Sequence, residues 1–401
     1  MVKLSHTVHW LTYLSLIINS LAFIHPTGSF QQRKTILAAT VETQSVEENV
    51  SKLKRVLYRE YVTFFNPMKT EFYSGKVTFQ DPMMSIEGVE SYRGNVDMLA
   101  GRTLLGSILF EEAGIALHSI VGGKVTQSEG TVVEISDIIT RWTLRMTAKV
   151  LPWKPTARFS GISVYKVQPG GPEGVLIIGQ TDYWDSVNLQ EGGKDYKPVE
   201  KSKAIGDFLD QLKPGGFQAQ SAAPEVPYEL LRRGQGYEIR RYPSYVGVKL
   251  PYGRRDEGFG SLGSFTRGMN PMAPAIMEVP YEETGNKMMM WPISYAAPGE
   301  DNPPEPKEAL EKAGEGQWRT VKVQTIPSSV VAVAEFTDAS MGPVVRKTER
   351  ELRRVLKRDG LEPLAGTETA VKFAQYDAIF SMGKRRGEVW IELEDGTHPW
   401  C

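Results

Sequence analysis

The sequence predicts an α+β protein of two domains: a cone-shaped α+β unit over residues 46–195, then a distorted antiparallel β-barrel carrying two helices over 226–401. Two observations predict it. Trp142, Leu144, Met146, Ala148 and Val150 alternate strictly with Arg141, Thr143, Arg145, Thr147 and Lys149. That is the period of a half-buried strand with one polar face. Further on, YEIRRYPSYVGVKL at 237–250 and VKVQTIPSSVVAVA at 321–334 repeat at an offset of 84. Pro243/Pro327, Ser244/Ser328 and Val246/Val330 match in identity, and Ile239/Val323 match in type. Each copy is a strand broken by Pro-Ser, which suits a bulge or an edge crossing.

Composition sets the bounds. A chain of 401 residues accommodates about two domains plus appendages. A net charge of −1 supplies no field for holding nucleic acid or an anionic membrane. The single cysteine, Cys401, excludes an intrachain disulfide framework, a Cys-rich zinc site and an iron–sulfur cluster.

The N-terminus has the composition of a targeting signal. Residues 1–41 contain no Asp or Glu, Lys3 opens a short basic region, and an apolar run follows from Val8 to Ile24. His9, Thr12, Ser15 and Asn19 interrupt that run, which therefore suits a signal peptide better than a span of ~20 apolar residues. The next segment, FIHPTGSFQQRKTILAAT, is basic, hydroxyl-bearing and acid-free. This order resembles the bipartite leaders of algae with complex plastids, with Phe23 at the aromatic position such leaders carry. Residues 1–45 are accordingly expected to be a signal and transit peptide directing the chain to a plastid, the chloroplast. A plain secreted or endomembrane protein is the alternative. No later stretch is apolar enough to cross a bilayer, so a mature chain without a transmembrane segment is expected.

Within 46–195, Val46, Val50, Leu53, Val56/Leu57, Tyr61 and Phe64 recur at helical spacing. FYSGKVTFQDPM reads as a turn and strand ended by Asp81-Pro82, SYRGNVDML as a helix, and ARFSGISVYKV and GVLIIGQTDYWD as further strands. A catalytic cone would need one of Asp81, Asp137, Asp182 or Asp185 desolvated beside a donor. Hydrogen bonding at turns and strand ends explains these acids without catalysis, and His118 is expected to be a satisfied sheet histidine. No catalytic residue is assigned. The pattern F-Y-x(5)-F-x-D-P, W-x-L, P-W-x-P, F-x-G-x-S-x-Y and D-Y-W-D is similar to a plastid-associated family of unknown function. That resemblance implies a nuclear-transport-factor-like (NTF2-like) fold, often fused to SOUL domains.

Residues 196–225 are expected to form a helix, AIGDFLDQL, and an interdomain linker rich in Ala, Ser, Pro and Gln. From Val226 the duplication predicts two β-α-β-β units. The first helix, DEGFGSLGSFTRGM, is weakened by glycines. The second, GPVVRKTERELRRVLKRDG, places Val345, Thr348, Leu352 and Val355 on one face. MMMWPISY, AVKFAQYDAIF and GEVWIEL complete the strands, and KRRGE reads as a hairpin turn.

Three stretches, YEIRRYPSYVGV, SFTRGMNPMAPAI and GEVWIEL, resemble the SOUL/haem-binding protein family across nearly all of 226–394. The chain departs from that family's pattern at Ala273, usually Thr, and at Gly387, usually Asn. The resemblance implies a SOUL fold and a non-enzymatic carrier, buffer or sensor of haem or another tetrapyrrole, bound non-covalently. Haem oxygenase or other tetrapyrrole-pathway enzymes are the partners it implies. Such a ligand needs an apolar groove and rim cations. Phe259, Leu262 and Phe265 are expected to form a face under the ring. Met269 and Met272 are groove fillers or weak axial ligands, and Arg254, Arg255 and Arg267 are partners for the propionates. Core packing and a solvated arginine face are the plainer explanation of the same residues. After His118 the only histidine is His398, so bis-histidine ligation and a protein metal site are not expected. Two other functions remain open: an enzyme in the N-terminal cone acting on a small hydrophobic substrate, or interaction modules of a plastid lipid-globule protein. GFGSLG at 258–263 lacks the strand–loop–helix context of a nucleotide fingerprint.

Overall fold

A computed structural model describes residues 30–128, 132–214, 223–336, 341–376 and 386–394, with side chains of the first helix described from residue 45. Helix α1 (Phe30–Val62) buries the expected stripe of Val46, Val50, Leu53, Leu57 and Tyr61. Beyond it the chain turns, and Phe65 rather than Phe64 is the ring that becomes fully buried. The strands β1 (Tyr73–Gln80), β2 (Ser85–Glu87), β3 (Phe110–Gly122), β6 (Ile138–Ala148), β7 (Thr156–Pro169) and β8 (Val175–Trp184) form one sheet in the order β2-β1-β8-β7-β6-β3. A small hairpin of β4 (Val125–Ser128) and β5 (Val132–Ile135) stands apart from it. The sheet is antiparallel except where β1 runs parallel to β8. Helices α2 (Val89–Leu99) and α3 (Leu104–Leu109) follow β2. One face of β6 supplies Trp142 and Met146 to the core under α1, as the alternation predicts. Its other face does not meet solvent throughout: Arg141, Thr143 and Thr147 are buried beneath the second domain. Period alone marks a polar face and cannot say what covers it. After α4 (Asp185–Asn188), helix α5 (Lys201–Gln211) leads towards the second domain.

The second domain contains β9 (Glu229–Gly234), β10 (Tyr237–Tyr242), β11 (Tyr245–Pro251), α6 (Arg255–Phe265), β12 (Ala275–Pro280), β13 (Met288–Tyr295), α7 (Lys307–Lys312), β14 (Lys322–Ile326), β15 (Ser329–Phe336), α8 (Met341–Arg358), β16 (Ala370–Gln375) and β17 (Gly387–Glu392). Its strand order, β14-β11-β13-β12-β16-β17-β15-β10-β9, is symmetric about the β12–β16 pair once β9 is set aside. The strand preceding each Pro-Ser joins the other repeat: β10 pairs with β15, and β14 with β11. This exchange forces the sheet to curl. β10 and β11 lie six strand spacings apart in the order, ~29 Å in a flat sheet, yet only Pro243 and Ser244 connect them. Two linking residues reach at most ~11 Å, so the ends must come together. The ladder itself stays open, with β14 and β9 at its edges.

Both helices pack on the outer face of the curled sheet. On α8 the buried residues are Val345, Glu349, Leu352 and Leu356, so the stripe is centred one position away from Thr348 and Val355, which flank it. Glu349 tolerates burial because Arg353 and the Tyr281 hydroxyl both donate to its carboxylate. The glycines of α6 have a packing reason at Gly258, where a Cβ would come within 2.9 Å of Met289.

Candidate functional site

Helix α6 and its flanking residues carry the residues expected to form a ligand groove, and the fold divides them. Leu262 and Phe265 are fully buried in the outer core, so packing takes these two and they offer a ligand no surface. Phe259 is partly buried and meets Trp291 edge-on at 5.7 Å, beside Tyr252. The Trp291 indole nitrogen is buried without a hydrogen-bond acceptor among the described residues. Met269 packs partly against the same core, whereas Met272 lies against the inner-face cluster, away from it. Arg254 is exposed and already pairs with Asp256 at 2.9 Å. Arg255 is half-buried near Tyr252. Arg267 is exposed just beyond the helix. Residues not anticipated complete this end: Lys312 donates to the Phe265 carbonyl at 2.6 Å and lies 5.0 Å from the Phe265 ring and 5.5 Å from that of Trp318. Both sit about fifty residues away in sequence, where no local pattern links them to α6. His398 and residues 1–29, part of the segment expected to be a leader at 1–45, lie outside the described residues.

The inner face of the curled sheet holds an ionic cluster that the sequence did not reveal. Arg240, Glu238 and Glu388 are buried, with Arg240 bonded to Glu238 at 2.7 Å and Glu388 at 3.1 Å. Arg386, from the run read as a hairpin turn, is buried between Glu388 at 3.0 Å and Glu225 at 2.9 Å. Aromatic rings sheathe the charges: Arg240 lies over Tyr228 at 4.3 Å, Arg386 over Tyr376 at 3.7 Å, and Tyr242 stacks on Trp390 at 4.8 Å. Tyr376 and Trp390 both donate to Glu388. Burial opposes ionisation of Glu238, but Arg240 and Arg158 overcome it and hold the carboxyl at about 2. Glu335 forms no ion pair among the described residues: burial, together with the charges of Glu388 and Glu238, pushes it up to about 8.

The cluster continues into the first domain. Arg158 on β7 reaches Glu238 at 3.2 Å. Arg141 grips Asp185 with two bonds of 3.0 and 2.6 Å, and Tyr196 and Ser160 also donate to that carboxylate. Arg232 of β9 lies 3.9 Å from Asp185, and Arg233 donates to Asp207 at 2.8 Å. Burial works against the Asp185 charge, yet Arg141 and Arg232 hold it at about 2. His118 is satisfied, as expected of it, between Thr143 at 3.1 Å and Glu229 at 3.2 Å. At Gly193 a Cβ would come within 1.9 Å of the Asp359 carbonyl, so glycine permits the loop before α5 to touch the end of α8.

Among the acids of the cone, Asp81 accepts from the Met83 and Met84 amides at 2.7 Å each, a turn role. Asp185 is the interface ion just described. Asp182 accepts from Gln180 at 2.8 Å, and burial pushes it up to about 7. Nearby, Tyr61 bonds to Thr140 at 2.8 Å, Tyr165 at 3.0 Å and Ser163 at 3.2 Å, a hydroxyl chain inside the cone. Among the described residues, no three His, Cys, Asp or Glu side chains gather to hold a metal ion, and no helix is long and apolar enough to cross a membrane.

Residues 223–392 match the family described as SOUL heme-binding protein, and residues 51–172 match an uncharacterized conserved protein family, DUF2358. No curated protein matches the chain. Similar solved structures include a putative bacterial transcription regulation protein from Staphylococcus aureus, 13% identical, covering 39% of this chain and 97% of its own, with a TM-score of 0.24. A hydrolase from Listeria innocua is 8% identical over 43% of this chain and 94% of its own, with a TM-score of 0.28. A putative isomerase from Bacillus subtilis is 18% identical over 36% and 90%, with a TM-score of 0.21.

Proposed function

We propose, from the membership of residues 223–392 in the SOUL heme-binding protein family, that this protein is a non-enzymatic tetrapyrrole carrier, buffer or sensor of a plastid. The family match is the observation that carries the reading. The α6 surface fits such a ligand in part. Phe259, Trp291 and Met269 present partly buried apolar surface, and the orphaned Trp291 nitrogen leaves a donor beside it. Arg267 and Lys312 supply cations at the C-terminal end of α6, ~9 Å along the helix from Phe259. These residues would hold the ring and its propionates non-covalently; when bound, the tetrapyrrole supplies the redox and light-absorbing chemistry. Haem or another tetrapyrrole would then pass to haem oxygenase or a related pathway enzyme, in the compartment reached through the leader at 1–45.

Haemin titration of the full chain, read at the Soret band, tests this. The full chain is needed because a fragment starting at 226 would strip Arg158 from Glu238 and Asp185 from Arg232. Saturable one-to-one binding is expected; a spectrum indistinguishable from free haemin rejects the reading.

A further inference from the structure

Beyond that reading, we propose that the cleft between the two domains is a separate binding site for a small apolar monocarboxylate. The cleft encloses about 600 Å³, within the usual size of small-molecule sites. Its floor is the polar face of β6 and β7, and its roof is the segment 225–230 that leads into β9. Ile115, Ala116, Val226, Pro227, Tyr228 and Leu230 provide apolar wall.

The charge on the floor is unbalanced. Arg145 of β6 and Arg158 of β7 stand directly opposite each other in register, an arrangement that destabilises a sheet unless the charge is answered. Glu238 answers Arg158 at 3.2 Å. Arg145 is exposed to the cleft and meets no carboxylate among the described residues. Two other acids of the cleft are committed elsewhere. Glu225 pairs with Arg386 at 2.9 Å, and Glu229 pairs with Arg241 at 2.7 Å and His118 at 3.2 Å. Glu112 sits on the exposed rim, beside Lys154. One guanidinium therefore remains for one carboxylate, with an apolar body lying against Ile115, Tyr228 and Leu230. A guanidinium takes a carboxylate bidentately, which fixes the orientation of the ligand.

Decanoate and decanol, titrated calorimetrically into the full chain, test the site. Decanoate is expected to bind one-to-one and decanol at least tenfold more weakly. Arg145→Gln, a change on an exposed side chain, should weaken decanoate at least tenfold while leaving haemin affinity within twofold. Ile115→Trp, which fills the cleft, should abolish decanoate binding and likewise spare haemin. Absence of decanoate binding, equal binding of the alcohol, or indifference to Arg145→Gln overturns the proposal. So does an equal loss of haemin affinity in Arg145→Gln, which would make the cleft the tetrapyrrole site. Failure of haemin to bind, with decanoate behaving as stated, would reject the carrier reading alone.

Discussion

The hydroxyl of Ser244 donates to the carbonyl of Ile326 at 3.0 Å, and 84 residues later Ser328 returns the bond to the carbonyl of Tyr242 at 2.9 Å. Each Pro-Ser corner thus clasps the strand end of the other repeat. Proline cannot continue a ladder, so the chain changes partners there, and the serine that follows satisfies a carbonyl left at the corner. The two bonds hold together the ends that the curl of the sheet brings close.

Ser244→Ala is expected to lower stability by about 1 kcal/mol, since the bond from the buried Ser244 hydroxyl to the Ile326 carbonyl is lost. Ser328 is exposed, so water replaces its bond and Ser328→Ala should cost less. Urea denaturation midpoints measure both. Equal and negligible losses would show that the corners are held by backbone pairing alone.

Acid should loosen the joint between the domains. Asp185 and Glu238 are both held at about 2, below their unfolded values, so the stability they contribute is complete above pH ~4.5 and disappears as pH falls towards 2. Each contributes on the order of 2–3 kcal/mol over that window. Asp185→Asn strands Arg141 and Arg232 and is expected to cost ~3–5 kcal/mol at pH 7, with a shallower acid slope than the parent. Melting temperatures from pH 2 to 7 decide it, and parallel acid slopes in the two proteins would refute the assignment.

Glu60 acts in the opposite sense. It is buried, accepts from the Lys69 amide and the Tyr73 hydroxyl, and burial pushes it up to about 7. A folded value raised above the unfolded one means that stability falls as pH climbs from ~4.5 to 7. Glu60→Gln keeps an oxygen for the Lys69 amide and should flatten that fall. A melting temperature with the same pH dependence in both proteins would show that Glu60 is ionised in the fold.

The parts legible in the sequence were those with a period or a duplication. The alternation from Arg141 to Ala148 lies in β6, although Lys149 and Val150 fall in the turn after it with Val150 exposed; the offset of 84 became the symmetric strand order, and Asp81-Pro82 ended β1 as a turn does. Arg240 and Arg386 were not legible. Charged residues in strands ordinarily face water, and although Glu238 and Glu388 stand two residues from Arg240 and Arg386, the links from Arg240 to Glu388 and from Arg386 to Glu225 join distant positions that only the folded sheet brings together. Leu262 and Phe265 show the converse, since an apolar residue on a short helix serves a core or a groove equally well in sequence. Burial assigns both to the core.

The leader carries its own prediction. A reporter fused to residues 1–45 should enter a plastid, and replacing Phe23 should divert it, because Phe23 stands at the end of the apolar run, where such leaders carry an aromatic residue. Secretion of the intact fusion would support the endomembrane alternative.

The ligand prediction follows from histidine scarcity and from how α6 spends its residues. With His118 held between Thr143 and Glu229 in the other domain, only His398 near the C-terminus remains outside the described residues as a histidine for the second domain. A haem complex should therefore lack the narrow Soret and sharp visible bands of bis-histidine ligation, and His398→Ala should leave affinity within about twofold. Arg254 is occupied by Asp256, which leaves Arg267 the better placed of the exposed cations. Arg267→Glu removes a charge-assisted contact worth ~1.5–3 kcal/mol and adds repulsion, so affinity should fall at least tenfold. Arg254→Glu and Arg255→Glu, titrated alongside, show whether the effect belongs to that position or to net charge. Loss confined to His398→Ala would reject the α6 surface and assign the ligand contact to the C-terminal segment.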